Sequence, residues 1–356
     1  MTIFNPNDPT TRRGIEKAAA LLEQSRAPVV IVNRIDLAGA AAAVTLARQA
    51  GAVLDHVAPT GLGPSQEQGT LGTVPGEAYL RADLVIVAGP ITDTLAHDAG
   101  FARLTAPSPT RTVVNLGSAE TTGGLLSSAE DFRLDGLGLA EQLGVLYALA
   151  QGRPVSLDDS QAAEATRFIE QRMSQAKYGV FVFAPDAIDE HAQFMMMSLA
   201  NVLSAETRWS VLPLGRPAGQ AELIRMCQAL TGLPPPLSFA GARPVHDPLL
   251  YRAVDVIGRR ETDAILWVSA CEDVPPDWIG GAPLAAVTAR ADAILAASAQ
   301  ISIGKPGIDY PALSEGALTG VVTANAQTSP VSKASAAQVI EAIGQQFAAS
   351  QNGAVA

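Results

Sequence analysis

Along the chain, short uninterrupted apolar runs alternate with longer segments whose apolar residues return every three or four positions. Pro28-Val-Val-Ile-Val-Asn33, Ala82-Asp-Leu-Val-Ile-Val-Ala-Gly-Pro90, Arg111-Thr-Val-Val-Asn-Leu-Gly117, Tyr178-Gly-Val-Phe-Val-Phe-Ala184, Trp209–Leu214 and Thr262-Asp-Ala-Ile-Leu-Trp-Val-Ser269 are runs of the first kind. Rich in β-branched and aromatic residues and bounded by Pro, Gly or Asn, they predict strands covered on both faces. Shorter strands are expected at Gly51–Asp55 and Leu284–Val287, and an alternating apolar segment runs from Ala293 to Ile303.

Helical spacing predicts helices over residues 12–25, 37–50, 93–104, 137–149, 161–176 and 218–230, one through Met195–Met197, and others over Leu249–Ile257 and Ala336–Ala348. Residues 57–76 and 231–248 are Gly- and Pro-rich and read as loops, 151–160 as a polar connection, and the sequence is irregular from 304 to Lys333. Buried strands alternating with helices imply parallel βαβ units with right-handed crossovers, so the fold class is α/β with Rossmann-like lobes and largely parallel sheets. At 356 residues the chain exceeds one ordinary core and fits two lobes.

Composition narrows the function classes. Charged residues make up 17% and hydrophobic ones 48%, and mean hydropathy is +0.20. So little charge on a chain of this size points either to apolar surface covered by partner subunits or to an Ala-rich interior. The net charge of −11 repels phosphate backbones and anionic headgroups, which argues against nucleic acid and against a membrane surface. No apolar stretch reaches the length of a span and the N-terminal residues show no leader pattern, so a cytoplasmic protein is expected.

Candidate chemistry is sparse. Cys227 and Cys271 form no C-x-x-C pair, and His56, His97, His191 and His246 have no co-ligand at metal spacing. His191 adjoins the Met195–Met197 stripe, which reads as core or an interface between chains. Gly304-Lys305-Pro306-Gly307 superficially resembles a phosphate loop but lacks the upstream Gly and the hydroxyl residue after Lys. The βα turns Asn33–Gly39 and Gly89–Asp93 lack the three spaced glycines of a dinucleotide site, and no nucleophile elbow occurs. Asp158-Asp159 and Glu272-Asp273 are carboxylate pairs of the exposed-loop type, for which solvation is the expected role.

Gly51-Ala-Val-Leu-Asp-His-Val-Ala-Pro-Thr-Gly-Leu-Gly-Pro-Ser65, followed by Ala82–Gly89, resembles the B subunit of formylmethanofuran dehydrogenases, members of the molybdopterin and tungstopterin oxidoreductases. The resemblance continues through Leu230–Pro234, Ser238–Pro248, Asp263–Ser269 and Ile303–Ile308 and so spans nearly the whole chain. It implies a molybdopterin-oxidoreductase type of fold with interleaved lobes: residues 1–75 plus 237–340 in one, 76–236 in the other, and 341–356 as a helix end and tail.

The family's active members carry a metal-ligating Cys (or selenocysteine) and a His where Gly61 and Leu62 stand before Gly63-Pro64-Ser65. Their Arg-Gly-His segment falls near Gly215, Arg216 and Pro217, where the His is gone, and no Cys precedes residue 227 to hold an iron–sulfur cluster. Glycine offers no ligand and leucine moves no proton, so metal ligand, proton carrier and electron path are all lost. This pattern resembles the B subunit of the formyltransferase/hydrolase complex of methylotrophic bacteria. The resemblance implies a non-catalytic chain without cofactor or metal, in a complex that transfers formyl groups from formyl-tetrahydromethanopterin to a methanofuran-like carrier and hydrolyses them to formate. Its partners would be the metallohydrolase (A), formyltransferase (D) and C subunits of that complex. Two alternatives stay open: a pterin–metal dehydrogenase component that retains redox activity, and a stand-alone nucleotide-binding module.

Overall fold

The structure is a computed structural model, and it describes residues 8–57, 68–90, 93–117, 126, 128–214, 219–294, 296–316 and 319–353. The chain forms two compact units. The first comprises Met1–Ala58, Pro217–Gly316 and Val321–Ala356, and the second Pro59–Arg216 and Ala317–Gly320.

In chain order the described strands are β1 (Pro28–Val32), β2 (Val53–His56), β3 (Leu84–Ala88), β4 (Thr112–Leu116), β5 (Glu130–Phe132), β6 (Tyr178–Phe183) and β7 (Arg208–Pro213). They continue with β8 (Leu237–Ser238), β9 (Val245–His246), β10 (Ala264–Ser269), β11 (Leu284–Thr288), β12 (Ala297–Ser302), β13 (Ala312–Glu315) and β14 (Val322–Asn325).

The first unit is built on a seven-stranded sheet of order β12-β11-β10-β1-β2-β8-β9, parallel from β12 to β2 and antiparallel at β8 and β9. All residues of β1, β10 and β11 are buried, as their unbroken apolar sequences demand. One face is covered by helices Pro9–Gln24, Leu37–Ala50, Ala221–Thr231 and Ala336–Gly353, the other by helix Ala253–Gly258 and Ile279. Ala40, Ala43 and Ala47 are fully buried, so much of the chain's alanine lets helices approach closely and does not contribute to its surface.

The second unit carries a five-stranded, wholly parallel sheet of order β5-β4-β3-β6-β7. Helices Leu139–Ala150, Asp159–Phe168 and Glu190–Leu203 cover one face, and Pro75–Arg81 and Ala99–Thr105 the other. Met196 and Met197 are fully buried, so that part of the methionine stripe is core.

Several expectations need correction. The lobe border expected at 236/237 falls at 216/217, because helix Ala221–Thr231 sends Leu223 and Cys227 into the first unit's core. The other border, expected at 75/76, falls at 58/59. The final helix, expected to end at Ala348, runs on to Gly353, and its Ile343 and Phe347 are buried in that core. The helix expected over 93–104 breaks where Asp98 accepts from the backbone N–H groups of Gly100 (2.7 Å) and Phe101 (3.1 Å) and caps a new helix. The helix expected from Leu249 starts at Ala253, since Asp247 takes up the N–H groups of Leu249 and Leu250 in a turn. Within the segment expected to be irregular, β13 and β14 pair antiparallel.

Candidate functional site

In open α/β sheets, ligands gather outside the carboxyl ends of the strands where the strand order reverses. The first unit reverses between β1, which is followed spatially by β2, and β10, which is followed by β11 and β12. A cleft of about 440 Å³ lies there, lined by Arg34 and Ile35 after β1, Cys271, Glu272 and Asp273 after β10, Gly219, and the segment Lys305–Ser314.

The strand ends stay joined beyond the sheet: Asn33 N–H donates to Val268 C=O (2.9 Å) and Ala270 N–H to Arg34 C=O (2.7 Å). Asp273 accepts from Ser269 Oγ (3.0 Å) and pairs with the Arg34 guanidinium (3.4 Å). Lys305 Nζ lies 2.9 Å from Glu272 Oε1. That contact holds the Glu272 carboxyl below, and the Lys305 ammonium above, its ordinary value. Gly219 faces Ile35: its carbonyl accepts from Ile35 N–H (2.9 Å), and at φ +93° a Cβ there would crowd the Ile35 backbone.

Helix Leu37–Ala50 begins at this cleft, where a dinucleotide fold would seat a phosphate on the exposed N–H groups. Here the N-cap position belongs to Asp36, 2% exposed, whose Oδ1 accepts from Tyr310 Oη at 2.9 Å. Burial pushes the Asp36 carboxyl above its ordinary value, against the opposing effect of the Tyr310 bond. Burial and the neighbouring Asp36 push the Tyr310 phenol up as well. The chain's own side chains thus close the place a phosphate would take.

Neither thiol is activated by its surroundings. Cys227 is pushed up to about 12 by burial, and Cys271, half-buried in the cleft, is also pushed up by burial, so both stay protonated at neutral pH. Among the described residues no group of three His, Cys, Asp or Glu is placed to hold a metal ion. Nor is any described helix long and apolar enough to cross a membrane.

The positions singled out in the sequence, Gly61, Leu62, Gly215, Arg216 and Pro217, lie outside the described residues, as do Gly63–Ser65. The histidines are not brought together: His56 ends β2, His246 ends β9 with its Nδ1 3.0 Å from Pro236 C=O, and His97 and His191 are exposed. Two readings of carboxylate pairs change. Asp158 caps helix Asp159–Phe168, accepting from Ser160 N–H (3.1 Å) and Gln161 N–H (3.0 Å), and Glu272 and Asp273 are ion-paired members of the cleft. Sequence reasoning passes over Arg34 and Asp36 and sets Lys305 aside with its loop. Their shared signal is position, each following a predicted strand by a few residues.

No known protein-family model matches the chain. It is 29% identical over 305 residues, 82% of each chain, to the B subunit of the formyltransferase/hydrolase complex Fhc of Methylorubrum extorquens. It also superimposes with a TM-score of 0.81 and 25% identity on a chain of the crystal structure of the formyltransferase/hydrolase complex FhcABCD from the same species in complex with methylofuran. That superposition covers 98% of this chain and 99% of the other. The chain is therefore similar to a component of that complex, over 82% of its length in sequence and 98% in fold.

Proposed function

We propose that the chain is the B subunit of a cytoplasmic formyltransferase/hydrolase complex, contributing structure and no catalytic group to tetrahydromethanopterin- and methanofuran-linked conversion of formaldehyde to formate. Its partners in this reading are the metallohydrolase (A), formyltransferase (D) and C subunits. The observation that carries it is the end-to-end match to a chain of FhcABCD, supported by the 29% identity to the Fhc B subunit. Descent from a formylmethanofuran dehydrogenase B fold belongs to the same proposal and rests on the stretches Gly51–Ser65 and Ser238–Pro248.

A pterin-held molybdenum or tungsten finds no fit in the donors this chain offers. Gly61 and Leu62 supply neither thiolate nor imidazole, and Cys227 is buried in the first unit's core. Against a nucleotide-binding module stands the Asp36–Tyr310 pair, which occupies the helix N-terminus that would receive a phosphate.

The test is affinity purification of the tagged chain from its native host, with the co-purified chains identified by mass and molybdenum, tungsten, iron and zinc measured. A formyltransferase and a hydrolase in stoichiometric amounts, with zinc, are expected. Stoichiometric tungsten or molybdenum bound to this chain, or a lone monomer, would sink the proposal.

A further inference from the structure

The cleft at the first unit's switch point, about 440 Å³, falls within the roughly 300–1,000 Å³ of small-molecule sites. Its lining is strongly charged yet balanced: Arg34 and Lys305 supply two cations, Glu272 and Asp273 two carboxylates. Ile35, Pro306 and Ile308 add apolar surface to the same lining.

The two ion pairs are not alike. Lys305 and Glu272 meet at 2.9 Å near the rim, where the Glu272 side chain is 62% exposed. Arg34 Nη1 and Asp273 Oδ1 lie deeper and stand 3.4 Å apart, well beyond the roughly 2.7–2.9 Å of a charge-assisted hydrogen bond. Asp273 is also held from behind, accepting from Ser269 Oγ at 3.0 Å, so its place does not depend on Arg34 alone. A ligand that enters between the two must satisfy both. The planar fork of Arg34 suits a carboxylate, but a plain carboxylate would face Asp273 at close range and leave it without a cation. A plain amine would do the reverse to Arg34. Phosphate finds no help from the neighbouring helix, whose N-terminus Asp36 and Tyr310 close.

We propose that this cleft binds an α-amino acid with a large apolar side chain, its carboxylate on the Arg34 guanidinium, its ammonium on the Asp273 carboxylate, and its side chain against Ile35, Pro306 and Ile308. Because an α-amino acid carries both charges on one carbon, a single molecule reaches both members of a pair only 3.4 Å apart. The proposal concerns the cleft alone and is independent of membership of a complex.

The test is calorimetric titration of the full tagged chain, with the subunits that co-purify with it, using L-phenylalanine as the probe. Saturable binding is expected. 3-Phenylpropionate, which lacks the ammonium, and phenethylamine, which lacks the carboxylate, bind about tenfold or more weakly, the factor that loss of one charged contact represents. Arg34→Ala and Asp273→Ala each weaken L-phenylalanine binding by about tenfold or more. Arg34→Lys keeps the charge without the fork and weakens it less. In Asp273→Ala the preference for L-phenylalanine over 3-phenylpropionate disappears, a change that a merely structural role for Asp273 would not produce. Arg172→Ala, which breaks an ion pair in the second unit, leaves binding unchanged. Should Asp273→Ala fail to fold, Asp273→Asn keeps an acceptor for Ser269 Oγ and serves in its place. No binding at ~10 mM L-phenylalanine, a concentration that fills even a millimolar site, overturns the proposal. So does equal binding of 3-phenylpropionate by the wild type, or wild-type affinity in both alanine variants. None of these results bears on the proposed function, which the identity of the co-purified chains decides.

Discussion

At the ends of β1 and β10 the first unit keeps a cleft of about 440 Å³ walled by two ion pairs, whereas beyond β3 in the second unit Ile188 and Leu139 pack directly onto Gly89. The two sheets reverse strand order in the same manner, β3 leading to β4 and β5 on one side and to β6 and β7 on the other. Topology therefore places a crevice in both units, and local sequence decides what lines it. In the second unit Gly89, at φ +85° with its N–H bonded to Leu116 C=O (3.0 Å), lets Ile188 approach where a Cβ would overlap it. In the first, Arg34 and Asp273 project from the corresponding strand ends and line the cleft as an ion pair that bridges them.

The comparison breaks most visibly at Gly89. Valine there would adopt a left-handed backbone that β-branched residues avoid and would collide with Ile188, so a loss of about 3 kcal/mol or more is expected in the second unit. Hydrogen exchange of the β3 and β6 amides, followed by mass spectrometry, reports that unit separately. Adding Ile188→Ala to Gly89→Val should restore the steric part of the loss and leave the backbone part. Protection unchanged in Gly89→Val would mean that the Gly89–Ile188 contact does not support the second unit.

The next effect is expected at the closed helix terminus of the first unit. Tyr310→Phe leaves a carboxyl oxygen of buried Asp36 without its donor and should cost about 1–3 kcal/mol. The pH dependence has a definite sign. Because burial raises the Asp36 carboxyl above its ordinary 3.8, the folded state binds more protons than the unfolded state as pH climbs past that value. Its contribution is complete below 3.8 and is lost as pH rises through the folded value, so stability falls with rising pH across that window. Asp36→Asn keeps the Tyr310 bond and should flatten the slope. Part of it will remain, since burial raises Asp55 and Glu222 in the same direction. Urea midpoints between pH ~3.5 and about 7 check this, and a wild-type slope in Asp36→Asn would show that Asp36 contributes nothing to it.

The same contrast explains what was legible in the sequence. Strands such as Val29–Val32 and Leu84–Ala88 declare themselves because a strand buried on both faces must be apolar at every residue, and helix Leu37–Ala50 because its alanines end at a Gly. Strand β14 was not legible: Val322-Thr-Ala-Asn325 is exposed at every residue, so no buried face imposes an alternation. Glu130–Phe132 pairs at an edge through three residues, two of them acidic, and gives equally little signal. The cleft was hidden for another reason. Arg34, Asp273 and Lys305 come from three distant segments, and each looks alone like an ordinary surface charge; what joins them is the reversal of strand order, which is a property of the folded sheet. The Gly304–Gly307 segment, which fails as a phosphate loop, still brings Lys305 and Pro306 to the wall of that cleft.

The smallest expected effect sharpens the comparison further, because it asks whether the open cleft is held by charge or merely lined with it. Arg34 and Asp273 stand 3.4 Å apart with side chains 28% and 30% exposed, so solvent screens much of their attraction. A double-mutant cycle with Arg34→Ala and Asp273→Ala should give a coupling of about 0.5 kcal/mol, the magnitude of a surface pair. Asp273→Ala alone should cost slightly more than Arg34→Ala, since it also removes the acceptor of Ser269 Oγ. The coupling should shrink further in ~1 M salt, where the Debye length falls to about 3 Å. A coupling above about 3 kcal/mol, insensitive to salt, would instead mark the pair as desolvated and structural. The pair would then be a polar plug in the first unit's switch point, and the cleft would be fixed structure with no freedom to admit a ligand.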